Sequence, residues 1–288
     1  MKKTAKTDAI KARSKVPKKT KQKNRKYSKK QICGVIFKAI LLLVWVAVVV
    51  IVAQLIVGNI MLGILGRDTF LQPVPTAIYS ALSYIIALIV ILFVTPKITI
   101  KLKIENNEKS IKGKLAPKTM SREDLGLHGW PTWTDIGLAP VGFIVSLILA
   151  AGLVAIFSLF PWFDAEQAQD VGFNTYIMGF DRVIAFIILV VVAPIAEELI
   201  FRGWLYGKLR PMLSTKMSDL ASMIVSIFLV SLLFGIIHMQ WNVGVNVFAM
   251  SVVLCGMREI TGTIYAGILT HMVKNGLAFY LLYVLGIG

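Results

Sequence analysis

Two adjacent glutamates, Glu197 and Glu198, lie inside an apolar stretch, and Arg202 follows the second by four residues. Carboxylates and guanidinium groups are costly in hydrocarbon, so ionisable residues in such stretches mark function by default. On a helix, Glu198 and Arg202 share a face and can pair. Glu197 is turned about 100° from Glu198 by the helical period. One carboxylate is then neutralised and the other is left for chemistry. Phe234 and His238 repeat the four-residue spacing, as do His271 and Asn275. Three helices that aimed Glu197, His238, His271 and Asn275 at one point would assemble a general base, two imidazoles and an amide donor. Such a set can activate water and stabilise an oxyanion. Lys274, next to Asn275, is the further charge of this region and must snorkel, pair with an acid or line water.

Each feature alone has a plainer reading. The Glu198–Arg202 pair is a structural ion pair, a lone membrane histidine is an interhelical hydrogen-bond partner, the asparagine is helix glue and Phe234 is packing. Their joint occurrence on separate apolar stretches is what packing does not account for. Glu197, His238 and His271 could instead ligate zinc. The chain has no HExxH arrangement placing two histidines on one helix face. The expectation is therefore a site without a metal or other cofactor, with zinc as the alternative.

The elements that must position these residues are membrane spans. Of 288 residues, 57% are hydrophobic and 16% charged, and the mean hydropathy is +0.75. Ordinary soluble domains hold about 25% charged residues, so that class is excluded. A span needs about 20 apolar residues. The long apolar run at 220–257 is too long for one crossing and divides near Gln240–Asn242. The reading is seven spans, near 39–63, 76–96, 137–160, 182–206, 220–239, 243–257 and 261–286, with an eighth if two have been merged. The sixth is short enough to be re-entrant or tilted. The predicted fold class is an all-α polytopic transmembrane helix bundle. The first span has too long a basic lead and apolar core for a cleaved signal peptide and reads as a signal anchor.

The net charge is +16, and residues 1–30 carry 14 Lys or Arg against Asp8 alone. The basicity therefore describes a tail rather than a nucleic-acid-binding fold, and no nucleic-acid partner is expected. The loop at 97–122 and the connection at 203–219 are also basic, while the alternate loops are poor in base or acidic. By the positive-inside rule the N-terminus is cytoplasmic. The tail reads as a solvated topology signal, with contact to anionic lipid headgroups as the functional alternative. Trp130 and Trp133 are expected at the membrane interface. Cys33 and Cys255 lie far apart and indicate no disulfide framework. The division is 1–35 as basic cytoplasmic tail, 36–135 as anchor region with a basic loop, and 136–288 as the polar, working membrane region.

Glu197-Glu198-Leu199-Ile200-Phe201-Arg202 resembles the EExxxR motif of the CPBP family, the CAAX proteases and bacteriocin-processing enzymes also called the Abi family. Phe234-Gly235-Ile236-Ile237-His238 resembles its FxxxH motif. Residues 261–275, from Thr261-Gly262 to His271-Met272-Val273-Lys274-Asn275, resemble its third region, a TG approach to HxxxN. The motifs fall within 190–280, and the N-terminal half matches by hydropathy only. The resemblance implies an intramembrane endopeptidase, a bacterial plasma-membrane protein acting on a peptide or protein substrate, either prenylated or bacteriocin-like, amid membrane lipids. It implies that Glu197 activates water with His238 beside it, that His271 and Asn275 hold the oxyanion, and that Glu198 and Arg202 support. A non-catalytic immunity factor or scaffold of the same fold is the alternative. A transporter fits less well, because the first three spans carry no internal charge. The protease reading also predicts one water-filled cavity between the fourth, fifth and seventh spans, opening on the cytoplasmic side, with Glu198 facing away.

Overall fold

The computed structural model describes residues 28–97, 99–102, 111–114, 119–165 and 177–286. It is an all-α bundle with seven helices long and apolar enough to cross a membrane, so the chain is an integral membrane protein. The helices are α1 (Lys29–Leu65), α2 (Pro73–Val94), α3 (Trp133–Phe157), α4 (Gly179–Ser214), α5 (Asp219–Ile237), α6 (Trp241–Thr261) and α7 (Tyr265–Leu285). The break near Gln240 falls where the sequence places it. The sixth span is a full 21-residue helix, not a short re-entrant piece. The fourth runs eight residues past its predicted end at 206, to Ser214. The described residues hold no eighth span. Most of the basic tail lies outside the described residues.

The basic loop contains a small antiparallel hairpin of β1 (Thr99–Leu102) and β2 (Ile111–Lys114), pairing Thr99 with Lys114 and Leu102 with Ile111. Its strands carry lysines between apolar residues in place of a long apolar run.

Side-chain caps fix several helix starts. Ser28 and Gln31 form a capping box on α1, Thr132 and Asp135 one on α3, and the Ser218 hydroxyl accepts from the Ala221 N–H at the start of α5. The Thr-Gly of the third motif is a stop signal. Gly262 takes φ +73° and closes α6, its N–H bonding the Arg258 carbonyl. Only glycine occupies that left-handed region without strain. The Thr261 hydroxyl then accepts from the Thr263 N–H at 3.1 Å, and α7 begins two residues later.

The connections fall at two ends. Arg210, near the end of α4, donates to Glu259 on α6 at 2.8 Å, to Asp219 at 2.7 Å and to Ser222 at 2.7 Å on α5. The Tyr206 hydroxyl donates to the same Glu259 oxygen at 2.5 Å. This network clamps the basic ends of α4, α5 and α6 together. At the opposite end, Trp162 packs edge-on against Trp241, and the Asn242 amide donates to the Ala165 carbonyl at 2.8 Å. Trp130 and Trp133 are strongly exposed. Cys33 is exposed and Cys255 buried, and they form no disulfide.

Candidate active site

The first motif lies at the middle of α4, where regular helix (Ala193–Glu198) passes into a π-helical segment (Leu199–Tyr206). Such insertions into α-helices are frequent at functional sites, because they re-aim side chains that a regular helix would fix. Glu197, Glu198 and Arg202 are all buried. Arg202 Nη1 donates to Glu198 Oε1 at 2.8 Å. The guanidinium also stacks over the Phe234 ring at 4.6 Å. Phe234 is therefore more than filler: it seals the ion pair from one side and meets the His238 and His271 rings edge-on at 4.9 and 6.0 Å.

Glu197 and His238 reach the same depth because α4 is long. Glu197 lies 17 residues before the end of α4 and His238 19 residues after the start of α5. At the helical rise, these are about 26 and about 28 Å from the shared turn. The helix continuing to Ser214 supplies the match that a stop at 206 would not.

His238 sits just past the last turn of α5, where its Nδ1 donates to the Phe234 carbonyl at 2.8 Å. A carbonyl only accepts, so Nδ1 carries a proton and Nε2 is the nitrogen left for the site. Met239 then adopts φ +56°, an uncommon conformation for a residue with a side chain, and α6 begins two residues later. The two helices cross tightly beside this turn. A Cβ on Gly235 would lie 2.8 Å from the Gly244 carbonyl oxygen, and one on Gly244 3.1 Å from that of Gly235. The glycine inside the FxxxH motif thus permits the approach that fixes His238.

His271, on α7, is the hub. Its Nδ1 lies 3.0 Å from Glu198 Oε1 and its Nε2 3.5 Å from Glu197 Oε2. Helix phase separates the two glutamates, yet both reach one imidazole because its nitrogens point in opposite directions. The expectation that Glu198 faces away is therefore corrected: it holds Arg202 and His271 through the same oxygen. Glu198 Oε2 and the Arg202 Nε and Nη2 groups have no protein partner among the described residues. Gly267 leaves that oxygen its space, since a Cβ there would lie 3.3 Å away.

Glu197, His238, His271, Lys274 and Asn275 line one cavity of about 280 Å³. The Asn275 amide donates to the Leu189 carbonyl at 3.0 Å. That bond uses one of its two N–H groups and leaves the other. All four residues of the expected set line this space, and Lys274 lines it with them, forming no ion pair within 4 Å among the described residues. The walls are broader than expected. Gln54 on α1 and Ser80 and Tyr84 on α2 also line the cavity, with Gln240 and Val247 from the α6 side. The Tyr84 hydroxyl faces Glu197. The anchor region thus contributes to the site, and its signal was a few polar residues within apolar spans rather than any charge. Gln54, His238 and Gln240 are toward the helix ends opposite the basic connections.

Among the described residues, no group of three or more His, Cys, Asp or Glu side chains is gathered as a metal site, the alternative set Glu197, His238 and His271 included. What the arrangement offers is a carboxylate, two oriented imidazoles and an amide around a small polar space. No curated protein and no solved structure matches the chain. Residues 179–277 match a family model, that of the type II CAAX prenyl endopeptidases described as Rce1-like. This segment spans α4 to α7 and contains every residue of the three motifs, so the match falls on the part of the chain whose motifs resemble the CPBP, or CAAX protease, family.

Proposed function

We propose that this chain is an intramembrane endopeptidase that hydrolyses peptide bonds with a water activated by Glu197, without a metal. The observation that carries the reading is the placement of His271, anchored on Glu198 by Nδ1 and facing Glu197 with Nε2 across 3.5 Å, at the wall of a polar cavity. Glu197 takes a proton from water as the oxygen attacks the scissile carbonyl. The oxyanion that forms faces His271 Nε2, and as it collapses Glu197 returns the proton to the amide nitrogen and the C–N bond breaks, releasing the amine. The remaining Asn275 N–H adds a second donor to that oxyanion. His238 Nε2 and the Tyr84 hydroxyl position the water. Arg202 pairs with Glu198, which in turn holds the His271 ring in orientation.

The N-terminus is proposed to be cytoplasmic, by the basic tail and connections, in a bacterial plasma membrane. Gln54, His238 and Gln240 of the cavity wall then lie toward the outward helix ends. Prenylated proteins, suggested by the family, and bacteriocin-like peptides both carry the apolar character that such a site requires. The deciding experiment is cleavage of a membrane-associated peptide by purified, reconstituted protein. Wild type is expected to cleave, and Glu197→Gln to lose at least about 10²–10⁴-fold in rate with an unchanged unfolding temperature. A Glu197→Gln protein that cleaves like wild type would remove this mechanism and leave the scaffold reading.

A further inference from the structure

Among the described residues, five buried side-chain nitrogen and oxygen atoms have no hydrogen-bond partner: Glu198 Oε2, Arg202 Nε and Nη2, Ser231 Oγ and Ser251 Oγ. They belong to four residues, each at most 1% exposed. Folded interiors seldom leave such groups unmet, and a cluster of them marks a place where water or an ion is bound. The cluster is a single one. The Cys255 thiol, on α6, interacts with Glu198, Arg202 and Ser231, so α4, α5 and α6 meet at this point. A thiol is a weak partner and does not satisfy a guanidinium. Ser251 precedes Cys255 by four residues and shares its helix face. Glu198 Oε2 opens toward the same helix. A Cβ on Gly267 of α7 would stand 3.3 Å from that oxygen and 3.9 Å from the Leu254 Cβ, so the glycine keeps a gap between the carboxylate and α6. None of these residues lines the cavity that holds Glu197.

We propose that these groups enclose an internal water site, separate from the cavity, in which bound water donates to Glu198 Oε2, accepts from the Arg202 guanidinium and shares hydrogen bonds with the Ser231 and Ser251 hydroxyls. The two serines are then positioning residues. They hold the water that steadies the Glu198 carboxylate, and Glu198 in turn orients the His271 ring. The donor set favours water over an anion. Glu198 Oε2 only accepts and would repel chloride, and the charge of Arg202 is already compensated at 2.8 Å by the other oxygen of that carboxylate. Water both donates and accepts, which is what a mixed set of carboxylate, guanidinium and hydroxyl groups requires. The site stands whether or not the chain is a protease, and only its effect on turnover rests on that reading.

The test is X-ray radiolysis of the full chain in detergent, read by mass spectrometry. Radiolysis makes hydroxyl radicals from water where it is bound, so a fully buried side chain is oxidised when a water lies against it. Cys255 is buried and reads the internal site, while the exposed Cys33 reads bulk solvent. Wild type is expected to be labelled at Cys255. Gly267→Ala fills the gap and removes no polar atom, and the double variant Ser231→Ala, Ser251→Ala removes two partners of the water. Each should lower labelling of Cys255 several-fold and leave Cys33 unchanged. An unlabelled Cys255 in wild type, or labelling that both variants leave intact, would overturn the proposal. So would an unfolding temperature that rises with chloride over gluconate in wild type but not in the double variant, which would assign the site to an anion. The positioning role is read from the ¹⁵N resonances of His271, one of three histidines. They should shift in both variants, and kcat should fall about tenfold or more with KM unchanged, since a misplacement of about 1 Å can cost about 10²-fold. Lost labelling with unchanged resonances and kcat would sustain the water site and refute the positioning. If wild type cleaves nothing, the proteolytic reading fails, while labelling and resonances still decide this proposal. Should the double variant not fold, wild type and Gly267→Ala decide.

Discussion

His271 Nδ1 and Glu198 Oε1 lie 3.0 Å apart, and the same carboxylate oxygen receives Arg202 Nη1 at 2.8 Å. The second glutamate of the motif therefore does two things at once. It compensates a buried guanidinium, and it fixes which face of the imidazole is turned to Glu197. A paired charge in the bundle thus orients the ring that faces the cavity.

Removing that carboxylate should cost both stability and geometry. Glu198→Gln strands Arg202, which is 1% exposed. Breaking a buried pair in this way costs about 3–5 kcal/mol. The expected outcome is a lower yield of folded protein and a lower unfolding temperature in detergent. Adding Arg202→Met should recover part of the stability but not the activity. Full recovery of activity by the double variant would show that the orientation of His271 does not depend on Glu198.

Asn275→Ala should act on turnover more than on substrate binding. An oxyanion donor contributes to the transition state rather than the ground state, and losing one costs about 10²–10³ in kcat. The amide also tethers α7 to Leu189, so unfolding temperature is measured beside the rate. A proportionate fall in both, with kcat restored at lower temperature, would reduce Asn275 to a structural tether.

Activity should survive exhaustive chelation and dialysis, because a carboxylate base needs no Lewis acid. Metal analysis of the purified protein checks this. Stoichiometric zinc that is lost and regained together with activity would make Glu197, His238 and His271 ligands instead.

Gly235→Ala should disturb the site without touching a reactive group. The added Cβ would meet the Gly244 carbonyl oxygen at 2.8 Å, forcing α5 and α6 apart. Overpacking of this kind costs about 1–3 kcal/mol. The expected result is lower stability with a fall in kcat, since His238 follows directly on the displaced turn. Unchanged kcat and unfolding temperature would show that the crossing is slack.

The sequence by itself determined the class of the fold and the identities of the polar residues. Apolar runs of span length are legible because hydrocarbon thickness sets a minimum, and Glu197, Glu198, Arg202, His238, His271 and Asn275 stand out because polar groups are rare there. Tertiary structure decided how they meet. Phase along α4 predicts two glutamates pointing apart, but not that one ring on α7 touches both. That contact depends on the crossing of α4 and α7 and on the space left at Gly267. The common depth of Glu197 and His238 depends on α4 continuing to Ser214 through π-helical turns, which pack on α5 and α6 and leave no mark in hydropathy. Gln54, Ser80 and Tyr84 were hidden for a related reason. A few neutral polar residues barely alter the apolar character of a span, and only the packing of α1 and α2 against α4 turns them toward the cavity.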